Sequence, residues 1–225
     1  MRAVLGLAAA ILLGAHAGLG WYLHKERPHL EILPPQPTDT AARALSFGDQ
    51  QLLYRAFTLH LQNAGDTGGR FTPMSQYDIP AVVDWLGLLQ RLDPQAHHHT
   101  ALAVRYFSQE RQPDDLRLLI AFIDRDVDAA PERKWYWQTQ AVALARDRLK
   151  DVPYALQLSR KMQSFADYVP EGLFWTLQME PILLEDLGRL DEAREVMERV
   201  VTAHGSKMNI YEQSWTTMFF ERLKK

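Results

Sequence analysis

Three consecutive histidines, His97, His98 and His99, are the first residues whose type suggests metal chemistry. Imidazole nitrogens bind zinc and related ions, but neighbours in sequence do not share one helix face. Asp93 is the only close carboxylate upstream on the same turn register. The pattern favours histidines at a surface or helix start over a metal site. His24, His29, His60 and His204 lack local ligand spacing. The run Gly65-Asp66-Thr67-Gly68-Gly69-Arg70 offers glycine N–H groups and a guanidinium to an anion. It lacks the length, the lysine and the Ser/Thr placement of a P-loop. A structural connection is the simpler reading, with Asp66 and Arg70 as candidate partner contacts. Asp66-Thr67-Gly68 also spells the aspartic-protease triplet, but a second such triplet and an all-β setting are missing. Glu180, Glu185 and Asp186 suit either a catalytic cleft or an ordinary solvated acidic face, and no Ser/His/Asp arrangement stands out. No catalytic, cofactor-binding or metal-ligating residue is assigned, and the expected role is non-enzymatic.

Aromatic residues suggest contact rather than catalysis. A helix cannot point Trp135, Tyr136 and Trp137 all inward, so one faces a groove or supports a neighbouring element. Trp135, Tyr136, Tyr106, Arg146 and Trp215 complete the candidate partner-binding set.

These residues need helices to hold them. Apolar positions recur near helical spacing from about Ala41 to Asn63, with Phe47, Leu53, Phe57 and Leu61 on one side. Asp78 can cap the next helix, with Pro80 in its first turn, and Asp93-Pro94 ends it. Further helices are expected over about Gln95–Gln109, Leu116–Val127, Glu132–Leu149 and Pro153–Phe165. Trp175 to His204 reads as two antiparallel helices broken at Gly188. Asn209 followed three residues later by Glu212 is a capping-box arrangement. Tyr211, Trp215, Phe219 and Leu223 then recur along one face of a last helix, which either covers the domain or stays partly exposed for a partner.

The chain has 225 residues, 47% hydrophobic and 24% charged, enough for one ordinary core. A formal charge of -3 gives no nucleic-acid footprint. With no cysteine, disulfides and thiolate chemistry are excluded. Ala3 to Leu23 is free of formally charged side chains, and a helix of that length spans a hydrocarbon core of about 30 Å. Trp21 and Tyr22 sit where interface aromatics belong. Ala15-His16-Ala17 supplies the rival reading, a cleavable signal peptide, and a buried helix is a third. The expectation is a single-pass anchor in a bacterial inner membrane, contacting the bilayer through residues 3–23. The folded domain then lies on the periplasmic side. This gives an anchor with its flanks at 1–27, a proline-rich linker at 28–40 and an all-α domain at 41–225.

The segment LGRLDEAREVMERV, from Leu187 to Val200, resembles the middle of a tetratricopeptide (TPR) repeat. Gly188 stands in the tight turn and Ala193 at the small-residue position, while Leu177 and Pro181 depart from the pattern. Leu116, Ala155 and Ala193 recur at intervals a little above the roughly 34-residue TPR period. The resemblance implies antiparallel helical hairpins in a short superhelix with a capping carboxy-terminal helix. Phe47 to Met74 is also similar to the front portion of uncharacterised bacterial membrane-associated helical-repeat proteins. The serial hairpins, the anchor and the lack of a reaction centre lead to the expected function, a membrane-tethered scaffold or assembly factor holding a protein or peptide partner, no nucleic acid being expected. The alternatives are an accessory subunit of a bacterial membrane or envelope complex, and a hydrolase whose site assembles only in three dimensions.

Overall fold

The computed structural model describes residues 2–25, 32–66, 71–109 and 112–224. The regular structure of these residues is helical, and the chain divides into two compact units, Met1–Ile32 and Leu33–Lys225. The first unit contains helix α1, Arg2–Lys25. Here the expected anchor is corrected: among the described residues, no helix is long and apolar enough to cross a membrane. Gly14, Gly18, Gly20 and His16 interrupt the leucines, and glycine and histidine add little or nothing to transfer into hydrocarbon. The expected bilayer contact, single-pass topology, inner-membrane address and periplasmic placement lose their basis with it.

In the second unit, the Thr38 hydroxyl accepts from the Ala41 amide and starts α2, Asp39–Leu45. The single helix expected from Ala41 to Asn63 is in fact two. Ser46 turns the chain, Asp49 accepts from the Leu52 amide, and α3 runs Gln50–Gln62. Phe47 lies in this turn with φ +48° and is 94% exposed, instead of on the apolar side of a helix. Gly65 follows α3 at φ +81°, held by the Tyr77 hydroxyl donating to the Ala64 carbonyl and the Thr72 hydroxyl to the Gly65 carbonyl.

Helix α4, Ile79–Leu92, stops at Asp93, and Pro80 sits in its first turn as expected. Helix α5, His98–Leu102, passes into a π turn, Ala103–Phe107. Helix α6, Pro113–Ala129, packs between α4 and α7, Pro131–Ala143, which ends in a second π turn, Leu144–Arg148. Leu86, Leu89, Leu119, Ile120 and Ile123 are fully enclosed there. Each such side chain contributes about 1.5–3 kcal/mol over exposure. Helix α8, Val152–Arg160, tightens into a 3₁₀ segment, Lys161–Tyr168. A short 3₁₀ segment, Phe174–Gln178, leads into α9, Met179–Asp186. Helix α10, Leu190–His204, packs back against α9, with Gly188 at φ +71° making the turn. Helix α11, Ile210–Arg222, closes the chain with the expected Asn209/Glu212 capping box.

The all-α class holds, but a TPR-like superhelix is not confirmed. Leu116, Ala155 and Ala193 are all buried, yet the helices that carry them have 17, 9 and 15 residues. Their upstream partners differ more: one is half α-helix and half π turn, one a long helix ending in a π turn, and one begins as 3₁₀. Burial at one small-residue position does not make equivalent units, since a repeat requires the same helix lengths and packing each time.

Candidate functional site

A strongly apolar depression lies where α11 leans on α9. It measures about 480 Å³ and is walled by Val142, Trp175, Met179, Ile182, Leu183, Tyr211 and Trp215. Arg146, Gln178, Asn209 and Glu212 supply its polar atoms. That volume falls within the range of ligand pockets, and a mostly apolar wall with few polar groups fits the same description.

The groove owes its shape to how α11 is fastened. One Glu212 oxygen accepts from the Asn209 amide at 2.9 Å, closing the capping box. The other accepts from the Trp175 amide, also at 2.9 Å. The residue that starts α11 thus also ties it to the opposite wall. Gln178 donates to the Thr216 hydroxyl at 3.0 Å one turn further on. At the far end, Arg222 grips Glu185 with two bonds of 3.0 and 2.9 Å. That carboxylate holds the Arg222 guanidinium above its ordinary value. Phe219 at the base is fully buried, and Trp215 stacks on it with centroids 5.4 Å apart. Tyr211, one turn towards the mouth, is 82% exposed. The expected aromatic face is therefore buried at one end and open at the other.

Arg146 reaches the groove from the π turn after α7 and pairs with Asp186 at 2.8 Å. The acidic trio read from the sequence is committed to ion pairs. Asp186 meets Arg146, Glu185 meets Arg222, and Glu180 lies 3.5 Å from Arg160. None of the three pairs with another carboxylate, the arrangement that general acid–base work favours.

Of the candidate contacts, Arg146 and Trp215 come together in the groove. Asp66 is exposed at the end of its turn, remote in fold position, and Thr67 to Arg70 lie outside the described residues. Trp135 is a core residue, packed with Val127, Met162, Phe165 and Leu177. Tyr136 is exposed and set edge-on to Trp135, and Tyr106 is half-buried edge-on to Phe107. Trp175, Ile182 and Tyr211 were not among the candidates. The available signal was the alignment of Tyr211 and Trp215 on α11, with Trp175 opening the preceding hairpin.

A second polar cluster is entirely enclosed. Asp126 on α6 accepts from Lys134 Nζ at 2.7 Å and from the Thr100 hydroxyl, and lies 3.0 Å from His99 Nε2. Lys134 Nζ is 3.2 Å from the same nitrogen, and the Tyr54 hydroxyl is 3.2 Å from His99 Nδ1. A Tyr54 hydroxyl donating to Nδ1 and an Nε2 proton donating to Asp126 satisfy both ring nitrogens. Burial pushes the Asp126 carboxyl up, but the hydrogen bonds from His99 and Lys134, with the Lys134 charge, outweigh it and hold the group below the usual range. For Lys134, burial wins over the carboxylate and lowers the ammonium. Burial raises the Tyr54 phenol. With Asp126, His99 and Lys134 at 0% exposure, no path leads a substrate to this cluster. It is a neutral polar knot tying α3, α5, α6 and α7.

The histidine run therefore splits into three environments. His97 accepts from the Trp137 indole at 2.9 Å, and His98 lies 3.2 Å from the Gln62 side-chain oxygen. All three stand at the start of α5, as expected, but His99 turns into the core instead of the surface, because Asp126 and Tyr54 offer partners to both ring nitrogens. Among the described residues, no group of three His, Cys, Asp or Glu side chains is placed to hold a metal ion.

No family model matches this chain, and no match is found among curated proteins or solved structures. The resemblances to TPR repeats and to membrane-associated bacterial repeat proteins are thus unsupported. The scaffold role loses its membrane tether, and with it the assignment to a membrane or envelope complex.

Proposed function

We propose that the domain is a polypeptide-binding module whose groove between α9 and α11 receives an aromatic or large aliphatic side chain of a partner segment. The observation that carries this reading is the groove itself. Trp175, Tyr211 and Trp215 line a depression of about 480 Å³ together with Ile182 and Met179. Aromatic side chains with few rotatable bonds are favoured at interface anchors because they bury much area for little lost entropy. Arg146 at the lip adds a charged rim contact that discriminates between partners more than it binds them.

The role is binding rather than catalysis. Both Glu212 oxygens are occupied by amides, and the nearby carboxylates Glu185 and Asp186 are neutralised by arginines. Such groups brace a surface; they do not stand ready to exchange protons.

Selection of displayed peptides on the full chain tests this reading. Recovered peptides should be rich in Phe, Trp and Leu, and Ile182→Asp should weaken them at least about tenfold without changing the far-UV spectrum. Peptides that bind wild type and Ile182→Asp alike would place recognition elsewhere.

A further inference from the structure

We propose that the groove takes the Leu45–Phe47 turn of a second copy, so that the protein associates head to tail. This rests on the groove reading above and names its occupant.

The turn between α2 and α3 is built in a costly way. Phe47 is a non-glycine residue at φ +48°, which costs about 1 kcal/mol or more, and it hides almost none of its ring. Asparagine or glycine would hold this conformation with less strain and no exposed ring. The turn is nevertheless rigid. Ser46 donates through its hydroxyl to the Arg43 carbonyl at 2.7 Å and accepts the Gly48 amide at 3.2 Å. The Asp49 amide donates to the Ser46 carbonyl at 2.8 Å, and Asp49 then caps α3. A large aromatic is thus held out into solvent by a braced backbone. Preorganisation of this kind lowers the entropy lost on binding.

Phe47 is not alone. Leu45 is 52% exposed beside it, and Leu52 and Leu59, two turns apart on α3, are 62% and 58% exposed. They form an apolar outer face on an early member of the helix succession α2, α3, α4, α6, α7, α8, α9, in which each packs on the next. The groove is built on later members, where residues of α7, α9 and α11 meet. Both surfaces are apolar patches that a single copy leaves uncovered. The charges agree with a match between them. Arg43, exposed on α2, has no ion pair among the described residues. Glu171, exposed next to Gly172, is likewise unpaired there, and the Gly172 carbonyl accepts from the groove residue Asn209. The helix before the plug thus carries an exposed cation, and an exposed carboxylate stands one residue from the carbonyl that holds the groove residue Asn209.

Because plug and groove are different surfaces, the contact is heterologous and the assembly is open unless its rotation closes a ring. A joint built on one ring and its flanks is small, so association is weak and concentration-dependent.

Sedimentation velocity on the full chain over a concentration series decides it. The average mass of wild type should rise with concentration past that of a dimer. Phe47→Asp, at an exposed site that does not threaten folding, should raise the concentration needed at least tenfold. Ile182→Asp, which spoils the groove, should do the same. An equimolar mixture of the two should recover dimers and stop there, because each variant retains one good surface. A wild type whose mass is independent of concentration, association unchanged by Phe47→Asp, or a mixture that fails to pair would each overturn the proposal. If selected peptides still bind wild type and lose Ile182→Asp, the groove is a binding site for a foreign segment and only its occupant is wrong. If they bind both alike, the groove reading fails as well.

Discussion

Asp126 and Lys134 show what a single buried residue can commit a fold to. Each charge has been removed from water, and each is tolerated because the other is 2.7 Å away. Asp126→Asn leaves the Lys134 ammonium without its counter-charge, and should lower unfolding stability by about 3–5 kcal/mol in a urea titration. Replacing both, as Asp126→Leu with Lys134→Met, should cost far less than either single change. The pH dependence has a definite sign. The folded Asp126 carboxyl lies below its unfolded value, so its contribution is complete above about pH 4–5 and is lost as pH falls through the folded value. Wild type should therefore lose stability on acidification more steeply than the doubly apolar variant. Parallel stability curves from pH 6 to 3 would show that other carboxylates govern the acid limb. Gly65 is a second residue whose type is dictated. A Cβ there would sit 2.6 Å from the Tyr77 hydroxyl and 2.9 Å from the Thr72 Cβ, at a positive φ. Gly65→Ala should cost more than about 1 kcal/mol in the same titration, by strain and by crowding together.

At the scale of elements, α11 depends on one carboxylate for two tasks. Glu212 completes the helix cap and anchors the Trp175 amide. Glu212→Ala should cost about 2–3 kcal/mol, more than an ordinary cap, and should weaken groove binding by displacing Trp175 from Trp215. Asn209→Ala removes the other half of the cap and the bond to the Gly172 carbonyl, and should cost about 1–2 kcal/mol with a smaller loss of peptide binding, since Trp175 keeps its anchor. Equal loss of binding in the two variants would show that α11 folds against the groove as an all-or-none unit. The caps were readable in the sequence because they are local: Asn209 and Glu212 act within one turn. Splitting of the expected Ala41–Asn63 helix was less readable. The caps at Thr38 and Asp49 are both acceptable helix starts, and hydrophobic spacing alone carried the pattern across Ser46 and Gly48.

For the whole molecule, packing leaves two apolar surfaces uncovered, the groove beside α11 and the Leu45–Phe47 turn. If groove and turn meet between copies, raising the salt concentration should weaken association modestly, through Arg43 and Glu171, while apolar contact persists. Loss of all association at high salt would mean that charge, not the Phe47 ring, holds the joint; a concentration series at two ionic strengths separates them.

The sequence by itself determined the helical class, the turn at Gly188, the capping box before α11 and the core role of hydrophobic stripes such as Leu86–Leu89. These follow from interactions within a few residues, where spacing is geometry. It did not determine that Trp135 would be buried while Tyr136 stays out, that His99 would leave its neighbours for the core, or that Arg146 and Trp215 would meet from positions far apart in the chain. The regular repeat it suggested dissolved because small-residue spacing marks close helix approach, not equal helix lengths. The expected membrane helix is likewise not supported among the described residues, where glycines and His16 dilute the run. Only tertiary packing decides which residues from distant helices share a surface, since that depends on crossing angles and side-chain volumes that no short window of sequence contains.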